Sequence, residues 1–392
     1  MGALFLALGC AHFQGAFAVE LSPSISQSVD TNFKPEGHSS FENLKSPTHW
    51  ALSMEVIALK RSNNSVNQPL VSTLPGTSKF GQTANMSATE AFNSNQFEQG
   101  SAAGPKLTLN YLGDSGYGLE LSYFNVSNLN SSNTIGPSNA GNWYIMKAPG
   151  FWQTQDFAYQ GMTWGSTTSL YSAEANAKFT APNKFNFLAG FRWFQLKDSL
   201  TGSVTPADQN DPVWKVGGCA PSPSQISQTV YDTTLSQTTQ ACALGASIGG
   251  YPPFWSTNTK NNLLGLQLGA QGTIVELGRL SLGGSLKAGV FNNQATQSNA
   301  VSITKIMYLT SASTNQVAYS GEGVLQLKYS VTDDLSVKMG YQLLWLDRVA
   351  LASGQIPYVY SGSSPTSVTA RGVNAGSSIL FQGGTFGLEY LF

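Results

Sequence analysis

The chain closes on Gly383-Gly-Thr-Phe-Gly-Leu-Glu-Tyr-Leu-Phe392, where apolar residues alternate one by one with polar or small ones. Phe392, Tyr390, Leu388 and Phe386 fall on one phase, and Leu391, Glu389, Gly387, Thr385 and Gly383 on the other. Successive side chains of a β-strand point to opposite faces, so this pattern predicts a strand with one greasy and one mostly polar face. Nine earlier segments repeat it. Their apolar phases run Leu52 to Ala58, Leu107 to Tyr111, Tyr117 to Tyr123, Tyr171 to Phe179 and Phe185 to Trp193. The second half adds Leu264 to Ile274, Leu280 to Val290, Leu325 to Val331 and Leu335 to Trp345. No charged residue falls on this phase in any of the ten segments. A charge facing lipid at the midplane of a barrel costs about 2–4 kcal/mol, so such a phase is what contact with hydrocarbon demands.

The opposite phase carries Glu55, Lys106, Asn110, Glu120, Glu174, Asn176, Lys178, Asn186 and Arg192 in the first five segments. In the second five it carries Gln267, Gln271, Lys287, Glu322, Gln326, Lys328, Lys338, Gln342 and Glu389. In a soluble sandwich these groups would form the solvated outer face. In a barrel they line the lumen, and they must pair with one another because unpaired buried charge is expensive. The connections separate the two architectures. Links after segments two, four, six and eight are turn-like: Gly113 to Gly116, Thr180 to Lys184, Glu276 to Arg279, and Thr332-Asp333. Those after one, three, five, seven and nine run roughly twenty to sixty residues. Strict long-short alternation predicts an all-β fold, a transmembrane antiparallel up-and-down barrel of ten strands with short periplasmic turns and long external loops. The ring is expected to close by pairing Trp50–Lys60 with Phe386–Phe392, with both termini in the periplasm. Twelve strands is the alternative, if Asn85–Phe97 or Val301–Tyr308 adds a hairpin.

Composition agrees with this picture. Charged residues make up only 10% of the chain, against roughly 25% in ordinary soluble domains. The net charge of -1 gives no reason to expect nucleic acid as a partner. Past the amino terminus no apolar run approaches the roughly 20 residues of a membrane-spanning helix. The apolar run Ala3–Ala11 and the small-x-small site Ala16-Phe17-Ala18 predict a signal peptide over residues 1–18. A poorly ordered periplasmic extension is expected over 19–49 and the barrel over 50–392. No Lys or Arg occurs before Lys34, which suits a chain beginning inside its signal, and Leu8-Gly9-Cys10 is a weak lipoprotein box. Export to the envelope of a Gram-negative cell would expose Cys219 and Cys242 to oxidation, and a disulfide between them is expected to close an external loop.

Candidate chemistry is thin. Gly245-Ala-Ser-Ile-Gly249 fits a nucleophile-elbow pattern, but that motif needs a strand-turn-helix context and a partner His. The mature histidines, His38 and His49, are expected across the membrane from it. Glu120 and Glu174 resemble a carboxylate pair, yet among Lys and Arg in a lumen they read as structural. With no metal-ligand spacing and no phosphate loop, neither an enzyme nor a cofactor is expected.

Several segments resemble one family in the same order. They are Leu188-Ala-Gly-Phe-Arg-Trp-Phe194 with Leu196, Asp198 and Leu200, then Asn258 to Ala270, then Leu286-Lys-Ala-Gly-Val290. The last are Gly340-Tyr-Gln-Leu-Leu-Trp-Leu-Asp347 and Val349-Ala-Leu351. These resemble the putative beta-barrel porin-7 family, known mainly from Planctomycetes, over roughly Trp50 to Phe392. The resemblance implies an outer-membrane barrel and supplies no catalytic residues.

The expected function is therefore a porin-like outer-membrane barrel with at most a narrow, weakly selective path for small solutes or ions. The alternative is a structural or surface-display barrel without transport. Ten strands and eleven charged lumen groups leave little open space, since about eight strands are filled by side chains and sixteen hold an aqueous pore. The lumen set is Glu55, Lys106, Glu120, Glu174, Lys178, Arg192, Gln267, Lys287, Glu322, Lys328, Lys338 and Glu389. Expected partners are outer-membrane lipids and, through the strand ending at Phe392, the barrel-assembly machinery.

Overall fold

An open strand edge in hydrocarbon leaves backbone N–H and C=O groups without partners, and closing the sheet on itself removes the edge. The computed structural model describes residues 48–62, 67–73, 89–113, 116–136, 144–147, 156–180, 185–206, 225–232, 237–244, 254–303, 306–356, 358–360, 367–369 and 372–392. Ten strands form its ring: β1 (Thr48–Arg61), β2 (Ser101–Gly113), β3 (Tyr117–Ile135), β4 (Asp156–Thr180), β5 (Phe185–Pro206), β6 (Phe254–Leu277), β7 (Leu280–Ile303), β8 (Ile306–Ser330), β9 (Leu335–Val349) and β10 (Ser377–Leu391). Each pairs antiparallel with the next. The first and last pair from Ala51↔Leu391 to Arg61↔Phe381, so no edge remains in the ring.

The turns at one end are as short as their sequences suggest. Leu277 pairs with Leu280 across the two residues Gly278-Arg279. Gly278 has φ of 59°, a left-handed conformation that a two-residue hairpin requires and glycine adopts without a Cβ penalty. This end of the barrel is called the turn end below, and the opposite end the loop end.

The two phases separate as the alternation predicts. Leu286 is 71% exposed, whereas the side chain of the adjoining Lys287 is 8% exposed. The exposed phase forms an apolar band. On β6 it runs from Leu264 to Ile274, about 33 Å of strand at about 3.3 Å per residue, or about 25 Å once the usual barrel tilt of about 40° is applied. That height matches the hydrocarbon band of outer-membrane barrels. Exposed aromatic residues mark its borders: Trp50, Tyr117, Phe179, Tyr329 and Tyr390 toward the turn end, Tyr123, Tyr319 and Trp345 toward the loop end.

Two expectations change. The link after the seventh strand is not a long loop: β7 continues to Ile303 and β8 starts at Ile306, leaving only residues 304–305 between them. β4, β5 and β6 likewise run well past the apolar band. Sequence alternation misses these extensions because beyond the band the outward phase is mostly Ser, Thr, Asn and Gln while the inward phase mixes polar residues with buried apolar ones such as Trp164, Leu200, Trp255 and Val301, so no outward greasy face marks them. Twelve strands are not needed either. Val301–Tyr308 is the tip of the β7–β8 hairpin, and Thr89–Asn93 pairs with Pro69–Thr73 outside the ring. A further hairpin, Gln225–Asp232 with Gln237–Leu244, pairs with β8 at Gln240↔Ser311, beyond the point where β9 has ended.

Candidate functional site

The inward phase divides along the barrel axis into three layers, built from the same strands. Nearest the turn end lies a charged belt. Lys287 of β7 reaches Glu120 of β3 at 3.0 Å and Glu174 of β4 at 2.6 Å. Since β3 and β7 stand on opposite walls of the ring, these pairs cross the lumen. Lys178 meets Glu120 at 2.8 Å and also donates to Asn110. Arg192 of β5 meets Glu322 of β8 at 2.7 Å and Glu174 at 3.5 Å, and donates to Ser172 at 3.0 Å. Gln267 donates to Glu174 and to Asn176, each at 2.7 Å. Gln342 of β9 donates to Glu322 at 3.2 Å and accepts from Lys106 of β2 at 3.3 Å.

Lower in the belt, Glu389 of β10 takes Lys328 at 2.5 Å, Lys338 at 3.0 Å and the Ser53 hydroxyl of β1 at 2.9 Å. Gln326 donates to Glu55 at 3.2 Å. All twelve side chains of the expected lumen set are thus on the inward phase, buried or half-buried, and every strand of the ring contributes to the belt. Five acids against six bases leave it nearly neutral, and hydrogen bonds to the remaining lone pairs offset the cost of removing these charges from water.

The second layer corrects the expectation of a uniformly polar lumen. Moving from the belt toward the loop end, Glu55 is followed on its face by Ile57 and Leu59, Arg192 by Phe194 and Leu196, and Gln342 by Leu344 and Leu346. These residues join Phe124, Val126, Leu129, Leu170, Leu263, Phe291, Ala318, Ile379 and Phe381 in one buried apolar cluster, with Ala102 of β2 packed against it. Every strand contributes, so the cluster crosses the whole lumen. Phe194 and Phe291 meet edge to face with centroids 5.5 Å apart, and the Arg192 guanidinium lies 4.2 Å from the centroid of the Phe194 ring, joining belt to layer. A Cβ on Gly289 would come within 2.6 Å of the Phe291 ring, so glycine there makes the space that ring occupies.

Above the apolar layer, the segment that follows β9 folds into the barrel mouth. Ala350 to Ile356, with a short 3-10 turn at Ala352–Gln355, is buried throughout. Its backbone polar groups need partners away from water, and inward amides and carboxylates supply them. Asn261 donates to the Ala350 carbonyl at 2.8 Å and accepts the Ala350 N–H at 2.7 Å. Asn299 donates to the Gln355 carbonyl at 3.0 Å. Asp198 accepts the Ala352 N–H at 2.9 Å while holding Arg61 at 2.5 Å and the Thr168 hydroxyl at 2.7 Å. Neither Arg61 nor Asp198 belongs to the expected lumen set. The available signal was each residue's even offset from an inward one, Glu55 and Arg192.

The expected signal peptide, Cys219, the Gly245–Gly249 motif and His38 lie outside the described residues; Cys242 falls in the strand Gln237–Leu244. Among the described residues no helix is long and apolar enough to cross a membrane, which says nothing of strands.

The family model described as Putative beta barrel porin-7 matches residues 231–392, which takes in β6 to β10. The segments from Asn258 onward that resemble this family lie inside the match, and Leu188–Phe194 lies outside it. No curated protein matches the chain. Similar solved structures include the outer membrane protease OmpT from Escherichia coli, 10% identical over 88% of this chain and 97% of that one, with a TM-score of 0.41. The toluene transporter TbuX of Ralstonia pickettii is 11% identical over 88% and 89%, with a TM-score of 0.31. A FadL homologue of Pseudomonas aeruginosa is 10% identical over 88% and 90%, with a TM-score of 0.27. At these TM-scores none of the likenesses bears on what this barrel does.

Proposed function

We propose that this chain is a porin-like barrel of the outer membrane, its turn end facing the periplasm, whose lumen gives at most a narrow and weakly selective path to ions and small solutes. The observation that carries this reading is the series arrangement inside the ring. The charged belt supports weak selectivity, since its acids and bases nearly balance and each sign is paired across the lumen. The apolar layer supports narrowness, because an apolar constriction admits ions only when it wets. Long paired extensions at the loop end and a buried mouth segment fit a path closed at rest. No catalytic constellation is proposed.

The reading is tested by recording refolded protein in a planar bilayer across a salt gradient. Wild-type protein should give a reversal potential close to zero. Arg192→Ala leaves Glu174 and Glu322 short of a cation and should shift the potential toward cation preference, with little change in membrane insertion. A potential that ignores this substitution would mean that the belt does not line the path. The apolar layer also favours a second reading, a surface-display barrel without transport, and absence of current from wild-type protein at any voltage would establish it.

A further inference from the structure

Like charges placed directly opposite each other on neighbouring strands destabilise a sheet. On the outer wall of this barrel two lysines are placed that way. Lys197 of β5 and Lys260 of β6 are register partners, with no bulge anywhere along the β5–β6 ladder, and both are exposed. Among the described residues neither has a carboxylate within 4.0 Å, whereas Lys178, Lys287, Lys328 and Lys338 in the lumen all do. Asp198, the acid next to Lys197 in sequence, points inward and is occupied by Arg61. Among the described residues, the one aromatic contact of the pair is Lys197 Nζ at 5.5 Å from the centre of the Tyr171 ring.

The surroundings of the pair are also unusual for an outer wall. Ser169 and Thr296 continue the row on either side, in register with Lys197 and Lys260, and Ser199 and Asn258 stand in the next row. Together they line a concave surface of about 890 Å³. Its position in the membrane follows from the strands. Leu264 is the last exposed apolar residue of β6, and Lys260 lies four residues beyond it. Four residues at about 3.3 Å and a tilt of about 40° place Lys260 about 10 Å above the hydrocarbon border. A lysine stem reaches back several ångströms, so both ammonium groups are within range of the lipid headgroup layer.

We propose that Lys197 and Lys260 bind the headgroup phosphate of a lipid in the leaflet at the loop end, one carrying a phosphomonoester. Two cations without a carboxylate partner among the described residues match the charge of about -1.5 to -2 on such a group. The hydroxyl and amide groups beside them supply further donors to its oxygens. The acyl chains of the same lipid would lie against the apolar band below. The ligand would convert a repulsive pair into a bridged one, which gives a structural reason for two lysines in register.

The test uses the full-length refolded protein in detergent micelles, with lipid binding counted by native mass spectrometry. Phosphatidic acid, a phosphomonoester lipid, should be retained about tenfold more strongly than phosphatidylcholine. Lys197→Gln/Lys260→Gln should abolish that preference, whereas Lys60→Gln, an exposed lysine of β1 that faces Gln382, should leave it intact. Without phosphatidic acid the double variant should unfold at a slightly higher urea concentration than wild type, because the repulsion is gone. With phosphatidic acid the wild-type midpoint should rise and the variant's should not. Equal retention of the two lipids by wild-type protein, or an unchanged preference in the double variant, overturns the proposal. Displacement of the lipid by millimolar inorganic phosphate would show a site for free phosphate and overturn the assignment to lipid.

Discussion

On β7, Lys287 and Phe291 are four residues apart on the same inward face, and they fill the barrel by opposite means. Lys287 spans the lumen to two named partners, Glu120 and Glu174, at 3.0 and 2.6 Å. Phe291 joins a cluster to which every strand contributes, so its packing is shared among many neighbours. A buried ion pair depends on one partner being in one place, because a charge left alone in a low-dielectric interior is costly. An apolar layer depends on volume, and hydrophobic residues of similar size replace one another at modest cost. The belt is therefore specific and brittle, and the layer tolerant.

The largest effect should come from breaking the belt at its best-connected cation. Arg192→Ala leaves Glu174 and Glu322 buried without it, and should lower unfolding stability in urea by about 3–5 kcal/mol. A loss below about 1 kcal/mol would mean that water already reaches these groups. A smaller loss is expected at the mouth. Asn261→Ala removes the group that both donates to and accepts from Ala350, which should cost about 1–3 kcal/mol. Hydrogen exchange at Ala350 should quicken at the same time, and an unchanged rate there would show that the mouth segment is held by other contacts. Smallest of all should be Phe291→Leu in the layer, below about 1.5 kcal/mol. A loss as large as that of Arg192→Ala would erase the distinction between the two regions.

Much of this was legible in the chain. The outward phase reads directly from Leu52–Ala58, Leu264–Ile274 and the closing strand, because hydrocarbon forbids charge there. The belt follows from it by parity. The apolar layer did not read, for a physical reason visible in Gly340-Tyr-Gln-Leu-Leu-Trp-Leu346. There both faces of the strand are buried, one by lipid and one by the layer, so the alternation that separates them disappears. Arg61 and Asp198 were missed because their pairing joins residues 137 apart, which no local pattern encodes. The extensions of β7 and β8 were read as a loop because their outward faces are mostly polar beyond the band. Hydrophobic periodicity reports solvent contrast across a strand, and where that contrast vanishes the strand goes unseen.

The central claim is that the apolar layer, rather than the charged belt, closes the lumen. Single-channel conductance in a planar bilayer tests it most directly. Wild-type protein should give a small but measurable current above the bilayer baseline. Phe291→Ser/Leu344→Ser, which makes two positions of the layer polar, should raise conductance by about tenfold or more, since a constriction that wets conducts. Lys338→Gln, which removes one charge from the belt and leaves Lys328 on Glu389, should leave it near the wild-type level. The opposite ranking, with Lys338→Gln opening the barrel and the layer variant staying closed, would contradict the account.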